Sequence, residues 1–151
     1  MTDKNVSIMN IGSMGYLPQV FKKIENEKKL NIVYLGGSIT MGCNATRTEL
    51  RYVDRSAKWW QTNFPDAEIS YFNAGIGATT SQFGVARVQE HVLDKQPDLV
   101  FVEFSVNDSS SPLFMETYES LVRRLLKAES VKAVVLINNL FYNTGTNAQG
   151  I

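Results

Sequence analysis

The stretch Leu99–Phe104 (Leu-Val-Phe-Val-Glu-Phe) decides the fold, because it is a short and almost continuous apolar run. Strands that are buried on both faces of a parallel sheet show this pattern, whereas strands with one solvated face alternate apolar and polar residues. Pro97 precedes the run and the polar segment Ser105–Asp108 follows it, so both ends are marked by residues that interrupt a strand. We therefore predict a central strand of a parallel sheet here.

Three more apolar runs of the same kind are predicted as strands: Asn31–Leu35, Ile69–Asn73 and Ala133–Ile137. Segments with helical spacing lie before and between them: Pro18–Lys29, Arg51–Phe64, Ser81–Asp94 with Ser81 as N-cap, and a helix that begins at Ser111-Pro112. Alternating strands and helices with right-handed crossovers form a three-layer α/β/α sandwich. We predict such a fold, with a flavodoxin-like parallel sheet.

The chain is expected to form one domain over residues 1–151 that is incomplete after the fourth strand. The segment that follows this strand ends in a polar stretch, Asn143–Gly150, which offers no helix to cover the strand. An uncovered sheet edge can pair with another chain. Self-association through this edge is therefore a further expectation.

Charge and cysteine content exclude several classes of function. Fifteen basic residues balance fifteen acidic residues, and no basic stripe is present, so neither nucleic acid nor an anionic membrane surface is an expected partner. The single cysteine permits neither an internal disulfide nor a cysteine-based metal site. The first residues lack the apolar core of a signal peptide, and no apolar run could span a membrane. The chain as written is therefore expected to be cytoplasmic.

Small and polar residues follow three of the predicted strands. These segments are Gly36–Thr40, Asn73–Ser81 and Ser105–Asp108. In a doubly wound sheet, ligands bind at the carboxyl ends of the strands, where the strand order reverses. The three segments are therefore predicted to meet on one rim of the sheet and to form a site there.

These segments resemble the first three sequence blocks of the SGNH/GDSL-type serine esterase family. Gly-Gly-Ser38-Ile-Thr resembles the nucleophile block, Asn73-Ala-Gly-Ile-Gly-Ala-Thr-Thr-Ser the glycine block, and Val-Glu-Phe-Ser-Val-Asn107-Asp the block that contains the family's asparagine. The resemblance implies an ester hydrolase that forms an acyl-enzyme on Ser38. It also implies small acyl esters, such as acetylated carbohydrates, as substrates, with no metal or cofactor.

The resemblance assigns the oxyanion hole to three donors: the Ser38 backbone N–H, one backbone N–H of the glycine block, and the Asn107 side-chain amide. Alignment from Asn73 places the second donor at Ala78, whereas alignment by residue type places it at Gly77, and both remain candidates. Gly37 stands where the family name implies aspartate, a change that is expected to leave Ser38 unaffected.

The chain lacks the Asp-x-x-His block that supplies the base in this family. Its only histidine, His91, is predicted to lie mid-helix, far from the carboxyl end of any strand, and Val88 occupies the position where the aspartate would be. We expect His91 to have a surface or packing role. A serine esterase without its base keeps only a small residual activity, so the isolated chain is expected to be weakly active or inactive.

Two buried polar positions are assigned structural roles. Glu103 interrupts the strongest apolar run and needs a partner if it is buried, for which Arg87 on the preceding helix is the candidate. Asp108 is expected to brace its loop. The adjacent Trp59 and Trp60 cannot share one helix face, so Trp60 is predicted to lie in the core and Trp59 to be partly exposed.

Two alternatives remain open. Gly75-Ile-Gly77 lies between a strand and a helix, like the start of a dinucleotide-binding fingerprint, so a nucleotide- or flavin-binding module is the first alternative. Thr80 occupies the third glycine position of that fingerprint, and no acidic residue closes the next strand, which argues against it. The second alternative is a non-catalytic fragment that is completed in trans.

Overall fold

The structure is a computed structural model that describes residues 10–139. In chain order its elements are α1 (Leu17–Glu27), β1 (Lys29–Gly36), α2 (Ser38–Met41), α3 (Tyr52–Asn63), β2 (Glu68–Gly75), α4 (Ser81–His91), β3 (Leu99–Glu103), α5 (Pro112–Leu126) and β4 (Ala133–Leu136). Each predicted strand and helix is present, with boundaries shifted by a few residues.

The sheet has four parallel strands in the order β2-β1-β3-β4. Its register places Gly36 of β1 beside Gly75 of β2 and beside Glu103 of β3. The strand order therefore reverses at β1, and the carboxyl ends of β1, β2 and β3 lie next to one another. This arrangement confirms the predicted flavodoxin-like α/β fold.

Both faces of the sheet are covered, because successive residues of β1 point to opposite sides and those from Ile32 to Gly36 are all buried. Val33 and Leu35 join a core with α4 and α5, whereas Ile32 and Tyr34 join a core with α1 and α3. The helices thus form one layer on each side of the sheet. This packing explains why the strands read as continuous apolar runs.

The buried face of α3 agrees with the predicted stripe. Val53, Ala57 and Trp60 are buried, and the Phe64 ring stacks on Trp60 with the ring centroids 5.8 Å apart. Trp59 is 52% exposed, so the two tryptophans divide between core and surface as predicted.

The start of α4 differs from the prediction by one residue. Thr80, in extended conformation, is the N-cap, and Ser81 is the first helical residue. The Ser81 N–H donates to the Asp108 carboxylate at 2.9 Å, so the loop after β3 satisfies this end of the helix. This hydrogen bond also confirms that Asp108 braces its loop, as expected. By contrast, Ser111 and Pro112 begin α5 as N-cap and first helical residue, as predicted.

The outer strands among residues 10–139 are β2 and β4. Tyr71 and Phe72 of β2 are about two-fifths exposed, so this edge is more open than expected from the sequence. The polar stretch Asn143–Gly150 lies outside the described residues, and self-association stays a prediction. No helix in the described part of the chain has both the length and the apolar character needed to cross a membrane.

Candidate active site

Ser38 lies at the carboxyl end of β1, where it begins the short helix α2. Its backbone carbonyl accepts hydrogen bonds from the N–H groups of Gly42 and Cys43, at 3.0 and 2.9 Å, which close the turn after the nucleophile position. The side chain is half-buried. Within residues 10–139 the Ser38 hydroxyl makes no hydrogen bond, so no base contacts it there.

Two glycines allow α2 to lie directly on the end of the sheet. A Cβ atom at Gly75 would collide with the backbone of Met41, and one at Gly36 would collide with the Thr40 hydroxyl. The space beside Gly75 is therefore filled by the protein's own helix. A dinucleotide-binding fingerprint needs open backbone for a pyrophosphate, so the packing at Gly75 argues against that alternative.

The Asn107 side chain lies between the nucleophile turn and the glycine-block loop. Its Nδ2 donates to the Thr79 carbonyl at 2.8 Å, and a Cβ atom built on Gly37 would be 3.2 Å from the same nitrogen. This amide has two hydrogens, and its second makes no hydrogen bond within the described residues. Position 37 thus borders the candidate oxyanion donor, a contact that the sequence did not indicate.

The loop after β2 presents backbone N–H groups on the same rim. The Ile76 N–H donates to the Gly36 carbonyl at 3.1 Å, and the Thr79 hydroxyl donates to the Ile76 carbonyl at 2.7 Å. Between these anchors, neither Gly77 nor Ala78 donates its N–H to any acceptor in residues 10–139. Ala78 has a φ of +57°, a left-handed conformation that favours glycine.

The predicted ion pair between Glu103 and Arg87 is wrong. Glu103 projects from β3 toward the face covered by α1 and α3, whereas α4 carries Arg87 on the other face of the sheet. The Glu103 carboxylate instead accepts a hydrogen bond from the Ser105 hydroxyl at 3.2 Å and lies 3.5 Å from the Thr40 hydroxyl. Burial raises the pKa of Glu103, and these hydrogen bonds offset only part of that shift.

Arg87 instead reaches the site, which the sequence analysis missed. Its guanidinium donates to the carbonyls of Ala74 and Gly36, at 2.6 and 3.0 Å, at the ends of β2 and β1. The available signal was helical spacing, since residue 87 lies about one turn from the buried residue Gly84 and nearly two turns from the buried residue Ser81.

His91 is the last residue of α4 and not a mid-helix residue. It lines an open pocket of about 280 Å³ with Gly75 and Ile76, so the expectation that it lies far from any strand end is also wrong. Its Nδ1 is 3.3 Å from the Arg87 guanidinium, and it makes no hydrogen bond to Ser38. These contacts agree with the predicted packing role.

The described residues contain no cluster of three or more His, Cys, Asp or Glu side chains that could hold a metal ion. The polar groups on the carboxyl rim are instead a hydroxyl, an amide and free backbone N–H groups. Such groups suit attack on an acyl carbon with stabilisation of the resulting oxyanion.

A parallel α/β domain with a serine after its first strand, and with amide donors after the next two, has the layout of an SGNH-type hydrolase. Comparison with known families agrees, since residues 34–150 match the GDSL-like Lipase/Acylhydrolase family. The chain belongs to this family.

Solved structures resemble the chain over part of their length. One is CEX, a two-domain esterase active on acetylated mannans, with 49% identity and a TM-score of 0.88 over 93% of this chain. Another is Axe2, an acetylxylan esterase from Geobacillus stearothermophilus, with 25% identity and a TM-score of 0.57 over 71% of this chain. The chain spans 38% of CEX and 58% of Axe2. No curated protein matches the chain.

Proposed function

We propose that this chain supplies the nucleophile and the oxyanion hole of a serine ester hydrolase that removes acetyl groups from carbohydrates. The observation that carries the proposal is the position of Asn107. Its amide borders Gly37, next to Ser38, and binds the Thr79 carbonyl of the glycine-block loop. One side chain thus joins the three segments that the chemistry requires.

In the proposed reaction, the Ser38 hydroxyl attacks the ester carbonyl and its proton passes to a general base. The carbonyl oxygen becomes an oxyanion, which accepts hydrogen bonds from the Ser38 N–H, the Asn107 amide and a backbone N–H of the loop after β2. Collapse of this intermediate releases the sugar hydroxyl and leaves an acyl-enzyme, which water then hydrolyses.

The loop donor is proposed to be the N–H of Ala78. Gly77 is the other candidate, and its N–H is equally unpaired among residues 10–139. Ala78 keeps a left-handed conformation despite its Cβ atom, although this conformation costs alanine more than it would cost glycine. Backbone strain of this kind is concentrated at functional sites, which favours Ala78.

The general base is proposed to come from residues that these 151 do not include. The only histidine in the sequence, His91, contacts Arg87 instead of Ser38. Among the similar structures is a catalytic mutant of Axe2 in which a histidine is replaced by alanine. We accordingly expect weak or no turnover by the isolated chain.

The substrate class is proposed from the similar esterases. CEX is active on acetylated mannans and was co-crystallised with mannopentaose, and Axe2 is an acetylxylan esterase. Both descriptions name polysaccharides that carry acetyl esters. Acetylated hemicellulose of this kind is therefore the proposed substrate.

The test is a chimera in which this chain replaces the matching segment of CEX, so that CEX supplies the remaining residues. Acetate release from acetylated mannan is measured for the chimera, for the isolated 151-residue chain and for the chimera with Ser38→Ala. We expect activity in the chimera alone, and a loss of about 10⁶-fold in kcat on Ser38→Ala, as for other serine nucleophiles.

The matched control is Ser70→Ala in the chimera, because the Ser70 hydroxyl donates to Asn31 near the amino end of the sheet. It should keep the activity of the chimera. A folded chimera whose activity survives Ser38→Ala would refute the proposed nucleophile. Strong, Ser38-dependent turnover by the isolated chain would refute the proposal that the base lies elsewhere.

A further inference from the structure

Arg87 is a buried cation without a carboxylate partner. The residue is 5% exposed, and among residues 10–139 no Asp or Glu lies within ion-pair distance of it. Its guanidinium donates to two backbone carbonyls, those of Ala74 and Gly36, and lies 3.3 Å from His91 Nδ1. Its Nε atom has no partner within the described residues.

Such an arrangement is costly to stability. Burial lowers the pKa of Arg87, although an arginine in a protein stays protonated. An unpaired buried charge is tolerated only where other groups stabilise it. The two carbonyls and the Phe83 ring, 5.7 Å from the guanidinium carbon, do so in part. Because an apolar side chain would avoid the cost, the charge points to a role beyond packing.

The two carbonyls bound by Arg87 lie just before the two halves of the candidate site. Gly36 precedes Ser38 by two residues. Ala74 is the penultimate residue of β2, and the loop that contains Gly77 and Ala78 follows this strand. The Gly36 carbonyl also accepts the Ile76 N–H at 3.1 Å. The planar guanidinium therefore sets the spacing between the nucleophile turn and the loop donors.

We infer that Arg87 is a positioning residue of the esterase site, which joins the ends of β1 and β2 so that Ser38 and the loop N–H groups face one oxyanion. The inference rests on the proposed function. An oxyanion hole works only when its donors are held at hydrogen-bond distance from the developing charge. A displacement of about 1 Å from a distant substitution can cost about 10²-fold in rate.

The first test measures kcat and KM for acetate release by the chimera. Arg87→Met, which removes the charge and both donors, should lower kcat by about 10²-fold and change KM by less than about threefold, the pattern of a lost transition-state interaction. Arg87→Lys should recover only part of kcat, because one ammonium group cannot reproduce the planar fork.

The control for a merely structural effect is Asp98→Ala. Asp98 is also buried and also joins two strands, but at the amino ends of the sheet. This variant should lower the melting temperature and leave kcat unchanged. The inference is overturned if Arg87→Met or Arg87→Lys keeps the kcat of the parent chimera, or if Asp98→Ala lowers kcat as much as Arg87→Met does.

The second test needs no activity and uses the full 151-residue chain. Hydrogen exchange is followed at the Ile76 amide, which binds the Gly36 carbonyl, and at the Asn31 amide, which binds Asp98. Arg87→Met should speed exchange at Ile76 and not at Asn31, whereas equal acceleration at both would overturn the inference. A chimera that is inactive with Arg87 and Ser38 intact counts against the proposed function, and the exchange result then decides the role of Arg87.

Discussion

The two ends of the same parallel sheet differ in how their polar groups are satisfied. At the amino ends, the Asp98 carboxylate accepts the Asn31 N–H at 2.9 Å and lies 3.3 Å from the Lys23 ammonium. The Asn31 side chain donates a hydrogen bond to the Lys95 carbonyl and accepts one from the Ser70 hydroxyl. Charges and donors at this end are paired with one another, so this rim holds the strands together.

The carboxyl ends carry the unpaired groups. In the described part of the chain, the Ser38 hydroxyl and the Ala78 N–H have no partner, and the Asp108 Oδ2 is buried without one. Arg87 is buried without a counterion, and Ala78 has a left-handed backbone. In natural proteins, unpaired buried polar groups and strained backbone conformations are concentrated at functional sites. The contrast therefore supports a candidate site at the carboxyl rim by an argument that does not use the sequence resemblance.

Among substitutions that compare the two rims, the largest effect is expected on kcat when Asn107 is replaced. In the chimera, Asn107→Ala removes one oxyanion donor and should lower kcat by about 10²–10³-fold. The counterpart at the amino rim is Asn31→Ala, which removes contacts to Lys95 and Ser70 and should lower the melting temperature without lowering kcat. The measurements are steady-state kinetics and thermal unfolding of both variants. A similar loss of kcat in both would remove the distinction between the rims.

A smaller effect concerns Glu103, a buried carboxyl group at the carboxyl rim. Since burial raises its pKa, the folded chain binds a proton that the unfolded chain releases above the ordinary glutamate value of 4.5. Stability should therefore fall as pH rises from about 4.5 through the raised pKa of the folded state. Glu103→Gln should remove this part of the fall and stabilise the chain at pH 7.

Thermal unfolding across a pH series checks this prediction. Burial also raises the pKa of Asp108, so part of the pH dependence should remain in Glu103→Gln. A variant with the same pH dependence as the parent chain would show that Glu103 is not the titrating group.

The smallest effect is expected at Ala78. A left-handed alanine costs about 1–2 kcal/mol, and glycine in its place costs about 0.5–1 kcal/mol in chain entropy. Ala78→Gly should therefore stabilise the chain by about 0.5–1 kcal/mol. The control is Ala86→Gly on the exposed side of α4, which should destabilise it by about 1 kcal/mol. Urea unfolding measures both, and a loss of stability in Ala78→Gly would contradict the strain assigned to this loop.

Much of the fold was predictable because the signals are local. The run Leu99–Phe104 is apolar on both faces, and the α3 stripe repeats with helical spacing, so neighbouring residues alone indicate strand, helix and parallel sheet. The candidate site followed from topology, since the carboxyl ends of adjacent parallel strands share one rim. Topology therefore places Ser38 and Asn107 on this rim, whereas their proposed roles come from the family resemblance.

The polar contacts could not be predicted in this way. The carboxylate that accepts a hydrogen bond from the first N–H of α4 belongs to Asp108, which is 27 residues beyond Ser81 in the sequence. Whether Glu103 meets Arg87 depends on which face of β3 each one approaches, and the sequence suggested the wrong pairing. His91 lines one pocket with Gly75 and Ile76, a contact between α4 and the end of β2 that the pattern of neither segment indicates.

The sequence by itself thus determined the parallel α/β fold, the family resemblance and the rim on which Ser38 and Asn107 lie. Apolar runs and helical spacing are properties of short segments, so they can be interpreted without knowledge of distant partners. Only the tertiary structure decided that Arg87 joins the ends of β1 and β2, that Asn107 borders Gly37, and that Ala78 is left-handed. These features depend on angstrom-scale distances between segments that are far apart in the chain, and no local pattern encodes such distances.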